Sequence, residues 1–277
     1  MRVRLNVRDW RNNVAARAAA EPPVPRNAWT NLTVLIHGYN NDAPTAAASY
    51  DEFLTNMPLD TLARAGDIIE FYWPGDKWNF VGYSISVRRA VRSGRRLQEF
   101  LAEQFPLAPV SLTVVAHSLG CRVALEFVAA ALAAQRPRFA SLNLCLMAAA
   151  VPVEMLRVSG PLNGAAAAAT QARILHSSCD EALGWPFISG QFGAREPTRE
   201  AVGRAGGPAF CWRTPRNMTP YQHGEYWTHD ESAAEVRMLF GLPTRPYVLP
   251  TRPVRRVMRL LPLPIGRRLP RRTLPGL

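Results

Sequence analysis

Lysine is all but missing from this 277-residue chain: Lys77 stands alone, so the 33 basic residues are almost wholly arginine. We read this as a compositional habit of the source genome with no bearing on mechanism. Cysteine is scarce too. Cys121, Cys145, Cys179 and Cys211 show no C-x-x-C spacing, which argues against a zinc site, and they are too few for a disulfide framework. No apolar run is long enough to span a bilayer. The opening MRVRLNVRDWRNN carries a charge every two or three residues and lacks the apolar stretch of a signal peptide. Cytoplasmic residence and the absence of metal or cofactor are therefore the expectations.

Acidic residues are absent after residue 243, where nine arginines and seven prolines accumulate. Without those arginines the balance is 24 basic against 21 acidic residues, so most of the net +12 belongs to the tail. A body this balanced gives no reason to expect specific nucleic-acid binding. The prolines exclude a stable helix over 244–277. Arginines interleaved with Val, Leu, Ile and Met (VRRVMRLLPLPIGRR) suit contact with an anionic surface; a solvated tail without a target is the alternative.

The chain is 48% hydrophobic, enough for a substantial core. Residues 3–7 (VRLNV) alternate and are compatible with a strand, but three prolines in 21–28 interrupt the pattern, which sets residues 1–29 apart as an N-terminal extension. Thereafter apolar runs alternate with helix-period segments. LTVLIH (32–37), DIIEFYW (67–73), SLTVVAH (111–117), SLNLCLM (141–147) and ARILHSS (172–178) read as strands. Helices are expected near 43–57, 84–105, 119–135, 161–170 and 230–240, the last with Asp230 as N-cap. Apolar strands joined by helices imply an α/β fold, a mostly parallel sheet covered on both faces, with ligands at the carboxyl ends of the strands. The domain is placed at 30–243 and the tail at 244–277. The helix near 84–105 has an apolar stripe opposite Arg88, Arg92, Arg95 and Arg96, most simply a solvated face. Residues 181–222 show no period, but Trp185, Phe187, Phe192, Phe210 and Trp212 argue against disorder. Those aromatics, with Trp73 and Trp78, either line a substrate pocket or form a satellite core.

VVAHSLGCR (114–122) carries the most chemistry. A strand ends in A-H-S-L-G and a helical pattern starts at once, the arrangement of a nucleophile elbow. The turn demands small residues two before and two after the serine, and Ala116 and Gly120 supply them. It lifts the Ser118 hydroxyl above the sheet and leaves the Leu119 N–H, at the positive end of a helix, free to face an oxyanion. A second motif, His37-Gly38-Tyr39-Asn40, closes the strand LTVLIH.

With these two motifs the sequence resembles the serine-hydrolase branch of the α/β-hydrolase superfamily over about residues 30–240. The closer likeness is to a bacterial group of these hydrolases carrying H-G-Y-N, a [YS]-W-P motif (Tyr72-Trp73-Pro74) and A-H-S-x-G. The resemblance implies that Tyr39 N–H is the other oxyanion donor, that His37 is structural, and that an acid and then a histidine follow the serine in chain order. Asp180, just after ARILHSS, is the candidate acid; Glu181 is its neighbour, and a helix N-cap is Asp180's alternative duty. His223 and His229 are the candidate bases, with His223 favoured because Gly224 would free its loop. Only 24 residues separate Met147 from Ala172, so any cap between those strands must be small. The expected activity is cleavage of a small-molecule carboxylic ester, thioester or amide through an acyl-enzyme. A catalytically idle scaffold that binds a partner is the competing reading.

Overall fold

A computed structural model of the chain describes residues 1–27, 29–76, 80–106, 109–208 and 215–242. The Arg/Pro-rich tail from 244 lies outside these, as do Trp78, Phe210, Cys211 and Trp212.

Eight strands form one sheet among the described residues: β1 (Arg2–Arg8), β2 (Val14–Glu21), β3 (Asn31–Ile36), β4 (Asp67–Tyr72), β5 (Val110–His117), β6 (Phe139–Met147), β7 (Gln171–His176) and β8 (Pro215–Asn217). Their order is β2-β1-β4-β3-β5-β6-β7-β8. Every neighbouring pair is parallel except β1 with β2. The helices are α1 (Ala43–Asn56), α2 (Leu59–Ala65), α3 (Phe80–Gln104), α4 (Gly120–Ala134), α5 (Val153–Leu156), α6 (Asn163–Ala167), α7 (Trp185–Ala194), α8 (Val202–Ala205) and α9 (Asp230–Leu239). This is the mostly parallel α/β sheet that the sequence pattern implies.

Strand β5 is buried at every position but Ser111, as a strand covered on both faces must be. Strand β1 instead alternates, with Val3, Leu5 and Val7 buried and Arg2, Arg4 and Asn6 exposed, the period of a half-covered strand. The boundary at residue 29 is corrected here. Residues 2–21 add two strands to the sheet, because the prolines at 22–25 end β2 rather than fence off a tail. Strand β2 (VAARAAAE) gives no strand signal of its own, and pairing with β1 overrides its propensity.

Helix α1 starts at Asp42, whose carboxylate accepts from the Thr45 N–H at 2.9 Å, and it buries Ala46, Tyr50 and Phe53. Helix α3 buries Val87, Ala90, Leu97 and Leu101 and leaves Arg88, Arg92 and Arg95 exposed. Arg96 departs from a simple solvated face, since its Nε donates to the Ala15 carbonyl of β2 at 3.0 Å. At α9 the cap position falls on His229 and Asp230 opens the helix, placing its charge at the positive end. The segment 181–222 contains α7, α8 and β8. Helix α7 (WPFISGQFGA) is apolar on nearly every side, so no amphipathic period marks it. Between β6 and β7 lie only the four- and five-residue α5 and α6, and no large cap occurs there. No helix among the described residues is long and apolar enough to cross a membrane.

Candidate active site

Strand β5 lies between β3 and β6, and all three are parallel, so their carboxyl ends meet on one side of the sheet. Ser118 follows β5 directly, with φ +54°, the left-handed strain that an elbow imposes on a non-glycine residue. Its N–H donates to the Met147 carbonyl at 2.9 Å and its carbonyl accepts from Ala150 at 3.1 Å, so the turn is pinned to the end of β6. Close approach explains the small neighbours. A Cβ on Gly120 would stand 2.4 Å from the His37 carbonyl oxygen, and one on Gly38 would stand 2.8 Å from the Ser118 Cβ. The H-G-Y-N turn therefore lies against the elbow. Leu119, at the cap of α4, has φ −67° and ψ −16°, and its N–H stands at the helix's positive end.

Asp180 is fully buried, four residues past β7. Its Oδ1 accepts from the Leu183 N–H at 3.0 Å, and its Oδ2 lies 2.8 Å from His223 Nδ1. Asp180 caps no helix, since α7 begins at Trp185 after Gly184 without a side-chain cap; one carboxylate oxygen holds the turn at Leu183 and the other meets His223. His223 Nε2 lies 2.8 Å from Ser118 Oγ. An ionised carboxylate only accepts, so Nδ1 carries the proton and Nε2 is left to accept from the serine hydroxyl. Glu181 is exposed. His229 stands apart, with its ring 4.7 Å from that of Tyr221.

The route that delivers His223 passes through β8, three residues long and silent in the sequence. It pairs with β7 from Ile174 to His176, Met218 N–H then donates to the His176 carbonyl at 2.7 Å, and Ser178 N–H donates to Thr219 Oγ1 at 3.2 Å. The loop of the base is thereby stitched beside the loop of the acid. Gly224 has ordinary backbone angles (φ −86°, ψ −5°), so glycine freedom is not what places His223. The neighbour that touches it is His117, whose Nε2–H donates to the His223 carbonyl at 2.7 Å with the rings 5.0 Å apart. Sequence reasoning assigned His117 only to the elbow and missed this role.

His37 supports the other side. Its Nδ1–H donates to the Gly38 carbonyl at 2.9 Å, while Nε2 accepts from the Trp73 N–H and from Arg8, each at 3.2 Å. Trp73 stacks on the ring at 5.6 Å and is fully buried; it backs the H-G-Y-N turn instead of lining a pocket. Arg8, from β1, also donates to the Asn41 carbonyl at 2.9 Å, so the N-terminal strand helps hold this turn.

Burial lowers the pKa of both His37 and His117 to about 3, helped at His37 by Arg8 and at His117 by His223. The unfolded chain takes up these protons near 6.5, so between the two values it binds more protons than the folded state. Stability is therefore fully present above about pH 6.5 and falls as the pH drops toward 3, by up to about 1.4 kcal/mol per pH unit for each histidine. Urea unfolding between pH 7 and 5 should show this slope, and His117→Asn should make it shallower. An unchanged slope in the variant would contradict the assignment.

A cavity of about 480 Å³ opens over Ser118, within the range of small-molecule sites. Tyr39, Tyr83, Leu183, Pro186, Phe187 and Trp227 line it with His117, Ser118 and His223. Of the described aromatics of 181–222, Phe187 alone is in this lining; Trp185 and Phe192 are each 77% exposed. Among the described residues no cluster of three or more His, Cys, Asp or Glu could hold a metal ion. Cys121, Cys145 and Cys179 are free.

No curated protein matches the chain. Among solved structures, the crystal structure of the product of gene lin2722 from Listeria innocua aligns with a TM-score of 0.42 at 11% identity, over 75% of this chain and 92% of that one. At that distance nothing about function follows from it. The family model described as "Alpha/beta hydrolase of unknown function (DUF900)" matches residues 14–239. The chain belongs to this alpha/beta hydrolase family.

Proposed function

We propose that the protein is a serine hydrolase that cleaves a carboxylic ester through an acyl-enzyme. The observation that carries this reading is the bridging position of His223, 2.8 Å from Ser118 Oγ on one side and 2.8 Å from Asp180 Oδ2 on the other. Serine is a weak nucleophile at neutral pH and needs a base held in the right tautomer. In the proposed reaction His223 Nε2 takes the Ser118 proton as Oγ attacks the ester carbonyl. Asp180 stabilises the imidazolium that forms. The Tyr39 and Leu119 N–H groups receive the negative oxygen of the tetrahedral intermediate. His223 then returns the proton to the departing alcohol, and water, activated by the same nitrogen, releases the acid.

The lining from Leu183, Pro186 and Phe187 favours an apolar acyl or alcohol group, and the mechanism serves a thioester or amide equally well. The test is direct. A fluorophosphonate probe should label wild-type protein at Ser118, with no labelling of Ser118→Ala, and a series of p-nitrophenyl esters should show a preferred acyl length. Folded protein that neither labels nor turns over any ester would instead be an idle scaffold.

A further inference from the structure

Helix α3 turns one row outward: Ile85, 41% exposed, and then Arg88, Arg92 and Arg95. These positions fall on one helical face. No acidic residue occurs from 77 to 98. None of the three arginines forms an ion pair among the described residues, in contrast to Arg96, which meets Glu99 at 2.5 Å, and Arg89, which donates to Asn13 Oδ1 at 2.6 Å.

Helix α7 lies alongside. Ser84 Oγ donates to the Gly190 carbonyl at 3.4 Å, and Gln191 Nε2 donates to the Tyr83 hydroxyl at 3.2 Å. Trp185 and Phe192, two turns apart on α7, share a face and are each 77% exposed. Two large rings left in water on a helix packed against the one that carries these unpaired arginines are the composition of a surface that sits at a lipid headgroup boundary. The first turn of α7 also supplies Pro186 and Phe187 to the cavity over Ser118, so this face adjoins the cavity mouth.

We propose that the α3–α7 face docks on an anionic lipid surface, with Trp185, Phe192 and Ile85 entering the headgroup region and Arg88, Arg92 and Arg95 meeting lipid phosphates. The substrate class follows, resting on the serine-hydrolase reading: an amphiphilic ester carried in that surface. Charge disfavours a second copy as the occupant, because a two-fold pairing of this face would bring its arginines against their own images.

The experiment uses the full chain, so the arginines of 244–277 are present in every sample. Binding is measured with Ser118→Ala protein on phosphatidylglycerol and phosphatidylcholine vesicles at low and high salt. Turnover is measured with active protein on p-nitrophenyl acetate. Binding should be strong on phosphatidylglycerol only and should weaken with salt. The triple variant Arg88→Gln/Arg92→Gln/Arg95→Gln should lower affinity about 100-fold at low salt, at roughly fivefold per arginine. Trp185→Ser/Phe192→Ser should lower it at both salt concentrations, and both variants should hydrolyse p-nitrophenyl acetate at the wild-type rate.

Variants that bind like the parent would overturn the proposal and assign the attraction to residues 244–277. Concentration-dependent dimers that Trp185→Ser/Phe192→Ser dissolves would overturn it in favour of a second copy, and equal affinity for soluble polyglutamate in favour of an acidic protein. Vesicle binding that follows the variants in a protein with unreactive Ser118 would keep the docking face and reject the hydrolase reading. Reactive Ser118 with no vesicle binding would do the reverse.

Discussion

Ser118→Ala should lower kcat on any ester the wild-type protein turns over by about 10⁴- to 10⁶-fold, with KM little changed. The hydroxyl accounts for the whole covalent route, and the cavity that binds the substrate is untouched by loss of one oxygen. His223→Ala should cost about as much, since without the imidazole the serine keeps its proton. Asp180→Asn should cost about 10⁴-fold. The amide can donate to Nδ1, which favours the tautomer with Nε2 protonated and removes the acceptor that Ser118 needs. The double variant Ser118→Ala/His223→Ala should be no slower than either single one, because groups that act as a unit are not additive. Steady-state kinetics on a p-nitrophenyl ester, with circular dichroism to establish folding, checks the series. A Ser118→Ala protein that keeps a tenth of the activity would sink the proposed nucleophile.

Gly120→Ala should damage stability and activity together. The added methyl would sit 2.4 Å from the His37 carbonyl oxygen and 2.7 Å from that of Ile36. Neither atom can swing aside, because both are backbone: Ile36 ends β3, paired on one side with β4 and on the other with β5, and His37 follows it directly. Either the elbow or the H-G-Y-N turn must move. Overpacking against backbone should cost about 3 kcal/mol, read as a lower urea midpoint. A displacement near 1 Å of the Tyr39 N–H from the oxyanion-hole role proposed for it should cost on the order of 10²-fold in kcat. Gly164→Ala is the control, since a Cβ there meets nothing within 4 Å; in α6 it should be neutral or slightly stabilising. Equal stability of the two variants would mean that the close approach at the elbow is not what constrains residue 120.

The sequence by itself determined the parts whose cause is local. Apolar runs at 32–37, 67–73, 111–117, 141–147 and 172–178 mark β3 to β7, because a strand buried on both faces carries mostly apolar side chains, with Thr33, Glu70 and Thr113 as buried exceptions. The elbow was legible for the same kind of reason: Ala116, Ser118 and Gly120 answer a steric demand made within five residues. Chain order and family likeness singled out Asp180 and left His223 and His229 as candidate bases; the local ground for preferring His223, the freedom of Gly224, is not what places it.

Tertiary structure alone decided that separation, through a three-residue β8 whose place beside β7 comes from pairing partners and not from its own composition. It also turned the first 21 residues from an extension into two strands, because the alanines of β2 are held by the ladder of β1 and not by propensity. His117 took its second role in the same way. Its imidazole donates to the carbonyl of a residue 106 positions away, and contacts between residues far apart in sequence leave no local pattern to read.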